Sequence, residues 1–155
     1  MMEMPKPGPG HMKLEKLVGT YEGDEIMHPS EWCPEASTGF GRQHNRLALG
    51  GFAIIGDYEH VKDGQVAYTG HGVTTYDPEA NAYLLHWFDS MGGGLEIFRG
   101  TFENDVMVLT SKTPMGFNRL TWDYSDPTHV QTKMESSKDG ETWSCCFESD
   151  YKRVS

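Results

Sequence analysis

The sequence predicts an all-β protein: an antiparallel up-and-down β-barrel of about ten strands, preceded by one short helix. Three observations carry this. Short segments rich in aromatic and β-branched residues follow one another along most of the chain. Turn chemistry separates them at nearly even spacing. The connections are too short for crossovers, except at residues 28–37, HPSEWCPEAS. A meander this long leaves two unpaired edges unless it closes on itself, which favours a barrel over a sandwich. In a barrel that one longer stretch becomes a loop over the mouth.

The helix is expected in HMKLEKLVG, after the prolines of MPKPGPGH, and Gly19 ends it. Strands are expected at 20–27, 38–47, 52–60, 66–76, 82–89, 95–102, 106–112, 117–124, 129–136 and 142–151. Between them stand LGG, KDG, DPEAN, GGG, END, SDP and a second KDG. The whole chain, residues 1–155, reads as a single domain without internal repeats.

Thirteen basic against 23 acidic residues give a formal charge of −10. Such a surface repels phosphate backbones and anionic lipids, so neither nucleic acid nor membrane is expected as a partner. No run of 18 apolar residues occurs, and the N-terminus lacks a signal pattern. Cys33, Cys145 and Cys146 are odd in number, and two are adjacent. A disulfide framework is therefore not expected, and a reducing cytoplasm is the natural compartment. No HxH, HExxH or CxxC spacing is present, so no metal and no cofactor are expected.

Alternation assigns faces. Trp143, Cys145, Phe147 and Tyr151 share one side of the last strand, while Leu120, Trp122 and Tyr124 share one side of strand 117–124. Strand 82–89 is apolar on both sides, with Leu84, His86 and Phe88 on one and Tyr83, Leu85, Trp87 and Asp89 on the other. His86 and Asp89 thus point in opposite directions. If Asp77 pairs with Ala82 across the PEAN turn, Val73 faces His86, His71 faces Phe88, Tyr76 faces Tyr83 and Gly72 faces Trp87. Gly72 then makes room for the indole.

MPKPGPGH, LEKLVGTYEGD, LGGFAIIGDYE, TYDPEANAY, HWFDSM, SSKDGETW and the terminal YKR together resemble a bacterial family, domain of unknown function 1579. The resemblance covers nearly the whole chain. It implies a calycin-like barrel, of the kind found in lipocalins, fatty-acid-binding proteins and nitrobindins, around a central cavity. Where the family usually has tryptophan in LxGxWxG this chain has Tyr21, and Arg153 is the matching arginine over the barrel floor. The family pattern also favours the face of Tyr76, Tyr83, Trp87 and Asp89 as the inward one.

Candidate ligand-binding residues are Tyr76, Tyr83, Trp87, Asp89, Trp122, Met134 and Phe147 as cavity lining, with Arg99, His71 and His86 as polar contacts. Arg99 between Ile97 and Thr101 would suit a carboxylate; a surface position is the alternative. Asp89 would anchor a hydroxyl or amine, or else cap the 90–94 turn. His71 or His86 with Asp89 or Glu135 would form an acid–base pair if buried. The leading reading is a protein that binds a small apolar or amphipathic molecule in an aromatic-lined cavity. The alternatives are a barrel enzyme, a haem-binding nitrobindin-like protein and an interaction module with a filled interior. The haem reading is weakened because no histidine follows His129. An outward face with Leu84, His86 and Phe88 points to a homodimer.

Overall fold

In the computed structural model, which describes residues 2–30 and 34–155, ten antiparallel strands close into one barrel. They are β1 (Gly19–Met27), β2 (Ser37–Ala48), β3 (Ala53–Lys62), β4 (Gln65–Asp77), β5 (Ala82–Asp89), β6 (Glu96–Glu103), β7 (Val106–Thr113), β8 (Gly116–Asp123), β9 (His129–Ser137) and β10 (Ser144–Arg153). Each strand pairs with its neighbours in sequence, and β1 pairs with β10 along the closing seam. This is the up-and-down order that the even turn spacing predicts. Trp32 and Cys33, within the long β1–β2 connection, lie outside the described residues.

The helix is shorter and begins earlier than the sequence suggests. A single turn, α1 (Pro9–Met12), runs into a 3₁₀ turn at Lys13–Leu17. Pro9 opens the turn because its fixed φ suits the first helical position and its missing N–H is not needed there. This segment plugs one end of the barrel, the floor. Leu14 is fully buried and Leu17 nearly so, a burial worth about 1.5–3 kcal/mol for each side chain. Hydrogen bonds fix the plug from the strands: Asn45 Nδ2 donates to the Leu17 carbonyl at 3.0 Å and the Tyr83 hydroxyl to the Gly10 carbonyl at 2.6 Å.

The β4–β5 register is the one the PEAN turn dictates, with Asp77 opposite Ala82, Val73 opposite His86 and His71 opposite Phe88. Tyr83, Leu85, Trp87 and Asp89 face inward; Leu84, His86 and Phe88 face outward, where Phe88 is 47% exposed. The last strand departs from simple alternation. A bulge between Cys145 and Phe147 shifts the pairing, so Cys145 stands opposite the outward Glu135 while Phe147 and Tyr151 turn inward. Trp143 also lies outside, stacked on the Arg119 guanidinium at 4.1 Å. The shared face expected for Trp143, Cys145, Phe147 and Tyr151 is therefore split, because one extra residue reverses the parity of everything before it. Among the described residues no helix is long and apolar enough to cross a membrane.

Beneath the floor the Arg153 guanidinium sits 5.1 Å from the Tyr21 ring centre and donates a hydrogen bond to the Tyr21 hydroxyl. That hydroxyl in turn donates to the carbonyls of Leu17 and Val18. Arg153→Ala removes both the cation–π contact and the bond, and should lower stability by about 1–2 kcal/mol, a few degrees in melting temperature. An unchanged melting curve would show that Arg153 does not secure the floor.

Candidate functional site

Strand alternation sorts the charges before any side chain is considered in detail. Arg42 and Arg46 on β2, Arg99 on β6, Lys112 on β7, Arg119 on β8, Lys133 on β9 and Lys152 on β10 all fall on the outer face. The interior instead receives carboxylates. Glu25, Asp89 and Glu96 point inward in the half of the barrel away from the floor, each held by donors from neighbouring strands.

Glu25 is the most deeply placed, with no exposed surface. Its Oε2 accepts from the hydroxyls of Tyr58 (2.6 Å) and Tyr151, and its Oε1 bonds His60 Nδ1 at 2.6 Å. An ionised carboxylate only accepts, so the ring hydrogen of His60 belongs on Nδ1. Burial pushes the phenols of Tyr58 and Tyr151 well above their ordinary value; the Tyr151 neighbour and the Glu25 charge add to it for Tyr58, and the Glu25 charge for Tyr151. Both therefore stay protonated and remain donors. Room for this cluster comes from β2. A Cβ on Gly41 would lie 2.3 Å from the Glu25 carboxyl carbon, and one on Gly39 2.3 Å from His60 Cε1. The glycines let carboxylate and imidazole lie flat on the strand.

Tyr58 links this cluster to a second one. Its ring lies 6.0 Å from Tyr68 and 6.4 Å from Trp87. The Tyr68 hydroxyl donates to Asp89 Oδ2 at 2.8 Å, and the Trp87 indole N–H reaches both Tyr68 (3.1 Å) and Asp89 (3.2 Å). Meanwhile Asp89 Oδ1 accepts from the Met91 N–H at 3.0 Å. Asp89 thus caps its turn with one oxygen and faces the interior with the other. The Trp87 ring is accommodated chiefly by Gly70, where a Cβ would sit 2.0 Å from the indole; Gly72, the expected partner, is the lesser contact. On the adjacent strand β6, in register with Trp87, Glu96 Oε1 accepts from Ser111 and Asn118 at 2.9 and 3.2 Å.

The space is distributed unevenly. Toward the floor Trp87, Trp122, Leu85, Tyr124 and their neighbours leave a void of only about 50 Å³, room for a water or two. At the mouth a hollow of about 860 Å³ opens beside Met134, Asn118, Thr113 and Ser136, with Pro29 and Ser30 at its edge. That is the size of a drug-like ligand site.

The expected site residues therefore separate. Tyr76 and Tyr83 serve the floor, Tyr76 packing on His11 (5.2 Å) and Tyr83 (4.8 Å). Trp87, Asp89, Trp122 and Phe147 face the interior, and Met134 lines the mouth hollow. Arg99, His71 and His86 do not reach the cavity. Arg99 is on the outer face, 4.0 Å from Asp77, because alternation from the inward Phe98 and Gly100 turns it out. His71 bonds Asp57 at 2.6 Å on the outer wall, in a shallow groove with Arg42, His44 and Phe88. Glu135 is also outside, gripped by Arg119 and Lys133. Neither histidine is positioned for acid–base work with an interior acid. The residues that sequence reasoning missed are Glu25, Tyr58, His60, Tyr151 and Glu96. The alternating glycines of TGFG, opposite an inward strand bearing Glu25, were the available signal.

A family of proteins of unknown function, DUF1579, matches residues 6–153. The chain belongs to this family. No curated protein matches the chain. Among solved structures Rv2717c from M. tuberculosis is similar, with a TM-score of 0.72 at 14% identity over 96% of this chain and 99% of that one. At that identity the likeness concerns the fold. The DUF1579 chain thus has a ten-stranded barrel that fits the calycin type, as its motifs imply.

Two predictions test this geometry. Removing the Glu25 carboxylate strands three donors, two of them buried (His60 and Tyr151) and one half-buried (Tyr58), so Glu25→Ala should cost at least about 3 kcal/mol in urea unfolding. Gly41→Ala should cost about 1–3 kcal/mol by the clash alone; full stability in both variants would refute the buried network. On the outside, the Arg119 hydrogen bond holds the Glu135 carboxyl below its ordinary value of 4.5. A lowered folded-state value adds stability above the unfolded value and loses it as pH falls through the folded one. Glu135→Gln should therefore be less stable than wild type at neutral pH, with the two curves converging in acid. Parallel curves would mean that Glu135 gains nothing from Arg119.

Proposed function

We propose that this protein binds a small amphipathic molecule through the mouth of the barrel. Its apolar part would lie beside Met134 and Phe147, and its polar end would meet the interior carboxylate network. The observation that carries the reading is Glu25: a carboxylate buried with three donors, in a barrel whose other inward strand carboxylates among the described residues are Asp89 and Glu96. Register supports the layering. Met27, Phe147 and Met134 form one row across β1, β10 and β9, and Glu25, Ser149 and Thr132 form the next row toward the floor. An acidic interior favours a ligand whose polar end is a cation or a hydrogen-bond donor. A fatty-acid-like carboxylate would meet repulsion there without the arginine it needs.

A proton-transfer enzyme is the second reading, and the Glu25–His60 pair at 2.6 Å favours it, since a carboxylate that orients an imidazole makes it a better base. Glu25 itself already accepts three bonds, which suits an orienting role. The free thiols of Cys145 and Cys146 support a reducing compartment such as the cytoplasm. Self-association would use the outer face that bears Phe88 and Ile97, 47% and 46% exposed.

A neutral naphthylamine dye separates these possibilities. Its fluorescence should rise saturably with added protein, and a ten-carbon primary amine should displace it while the ten-carbon carboxylate does not. Equal displacement by the carboxylate would refute the preference for a cationic or donor head group, and no saturable signal would sink the reading in favour of a filled interior.

A further inference from the structure

We propose that His28, Cys145 and Glu148 form a site for a divalent transition metal of the zinc class, on the outer rim where the barrel closes. One ligand atom from each residue lies within 4.8 Å of the other two. His28 Nε2 stands 3.5 Å from Glu148 Oε2, and Cys145 Sγ stands 3.8 Å from the same oxygen. Bond lengths of about 2.0–2.3 Å to nitrogen, oxygen and sulfur make the edges of a zinc tetrahedron roughly 3.3–3.7 Å. Two of the three edges are already near that length. The donor set, one imidazole, one thiolate and one carboxylate, suits zinc or cobalt rather than calcium or magnesium.

The backbone is arranged for it. Cys145 and Glu148 are three residues apart and would fall on opposite faces of a regular strand. The bulge between Cys145 and Phe147 adds the residue that brings both to the outer face. On the facing strand the His28 N–H bonds the Cys146 carbonyl at 2.9 Å, which carries the β1–β10 pairing one step past Met27 and holds the imidazole at the same height. The three ligands therefore come from both sides of the seam. The His28 and Glu148 side chains are 36% and 50% exposed, so an ion would enter from solvent and keep a coordination position for water. Binding would displace the thiol proton and form one sulfur–metal bond, with no redox change. It would also tie the start of the β1–β2 connection to β10, at the edge of the hollow described above. The site does not depend on what the barrel binds.

Cobalt reports the thiolate directly. In a Cys33→Ser, Cys146→Ser background Cys145 is the only thiol. Titration with Co²⁺ should give a sulfur-to-cobalt charge-transfer band that saturates at one equivalent, and Zn²⁺ should abolish it. Cys145→Ser should remove the band, while His28→Ala and Glu148→Gln should each weaken binding at least about tenfold. If the double-serine background does not fold, the wild type compared with Cys145→Ser carries the same test. The proposal is overturned if no such band appears. It is equally overturned if the band and its affinity are unchanged in both His28→Ala and Glu148→Gln.

Discussion

Much of the barrel is organised around one carboxylate removed from water. An ion of this kind costs several kcal/mol to bury unless its lone pairs are met by donors. Glu25 on β1 meets them with Tyr58 and His60 from β3 and Tyr151 from β10. Those partners lie on either side of it around the barrel, so the cluster spans the closing seam and reaches across β2. Strand β2 can be crossed only because Gly39 and Gly41 present no side chains there. The requirement of a buried charge thus fixes residues on four consecutive strands of the wall: β1 by the carboxylate itself, β3 and β10 by what they donate, and β2 by what it lacks.

From that cluster the interior divides. The floor half follows ordinary core logic, with Leu14, Leu17, Tyr21, Tyr83 and Tyr124 buried around the plug and little space left. The mouth half reverses it: polar groups face in, and apolar Phe88, Ile97 and Leu95 are exposed outside. A barrel interior that only needed to be stable would be filled with hydrocarbon, since a well-packed apolar core usually matches or beats a polar one. Departures from core logic are expected where a site has another demand to meet, and this one is the feature on which the proposed binding reading rests. The floor supplies the stability that lets the mouth half remain polar.

How much of this was legible in the sequence depended on range. The strands and their order follow from turn spacing, and the β4–β5 register follows from one tight turn, so the opposite orientations of His86 and Asp89 could be read directly. Arg99 was ambiguous because neighbours of similar polarity flank it on both sides; only the burial of Phe98 decides its direction. Glu25 and Tyr151 are 126 residues apart and meet only when the barrel closes, a contact no local pattern encodes. The glycine alternation on β2 carried a trace of it, since an inward glycine pair implies something large or polar lying across the strand.

The bulge in β10 shows why the rim was the least legible part. Alternation assumes a constant parity, and a single inserted residue inverts it for every position toward the mouth. Before the bulge Ser149 and Tyr151 face the interior as the pattern requires; beyond it Cys145 and Trp143 are delivered to the outside. Trp143 then covers Arg119, whose hydrogen bonds to Glu135 anchor the β8–β9 wall from without. Asp139 holds the intervening turn through the N–H groups of Glu141 and Thr142, and those bonds bring its carboxyl down to about 2. The same extra residue therefore gives the rim an outer buttress and aligns Cys145 with Glu148. A strand without it would have kept Cys145 on the inward face with Phe147, away from the outward Glu148, and the seam would not bring the two ligands together.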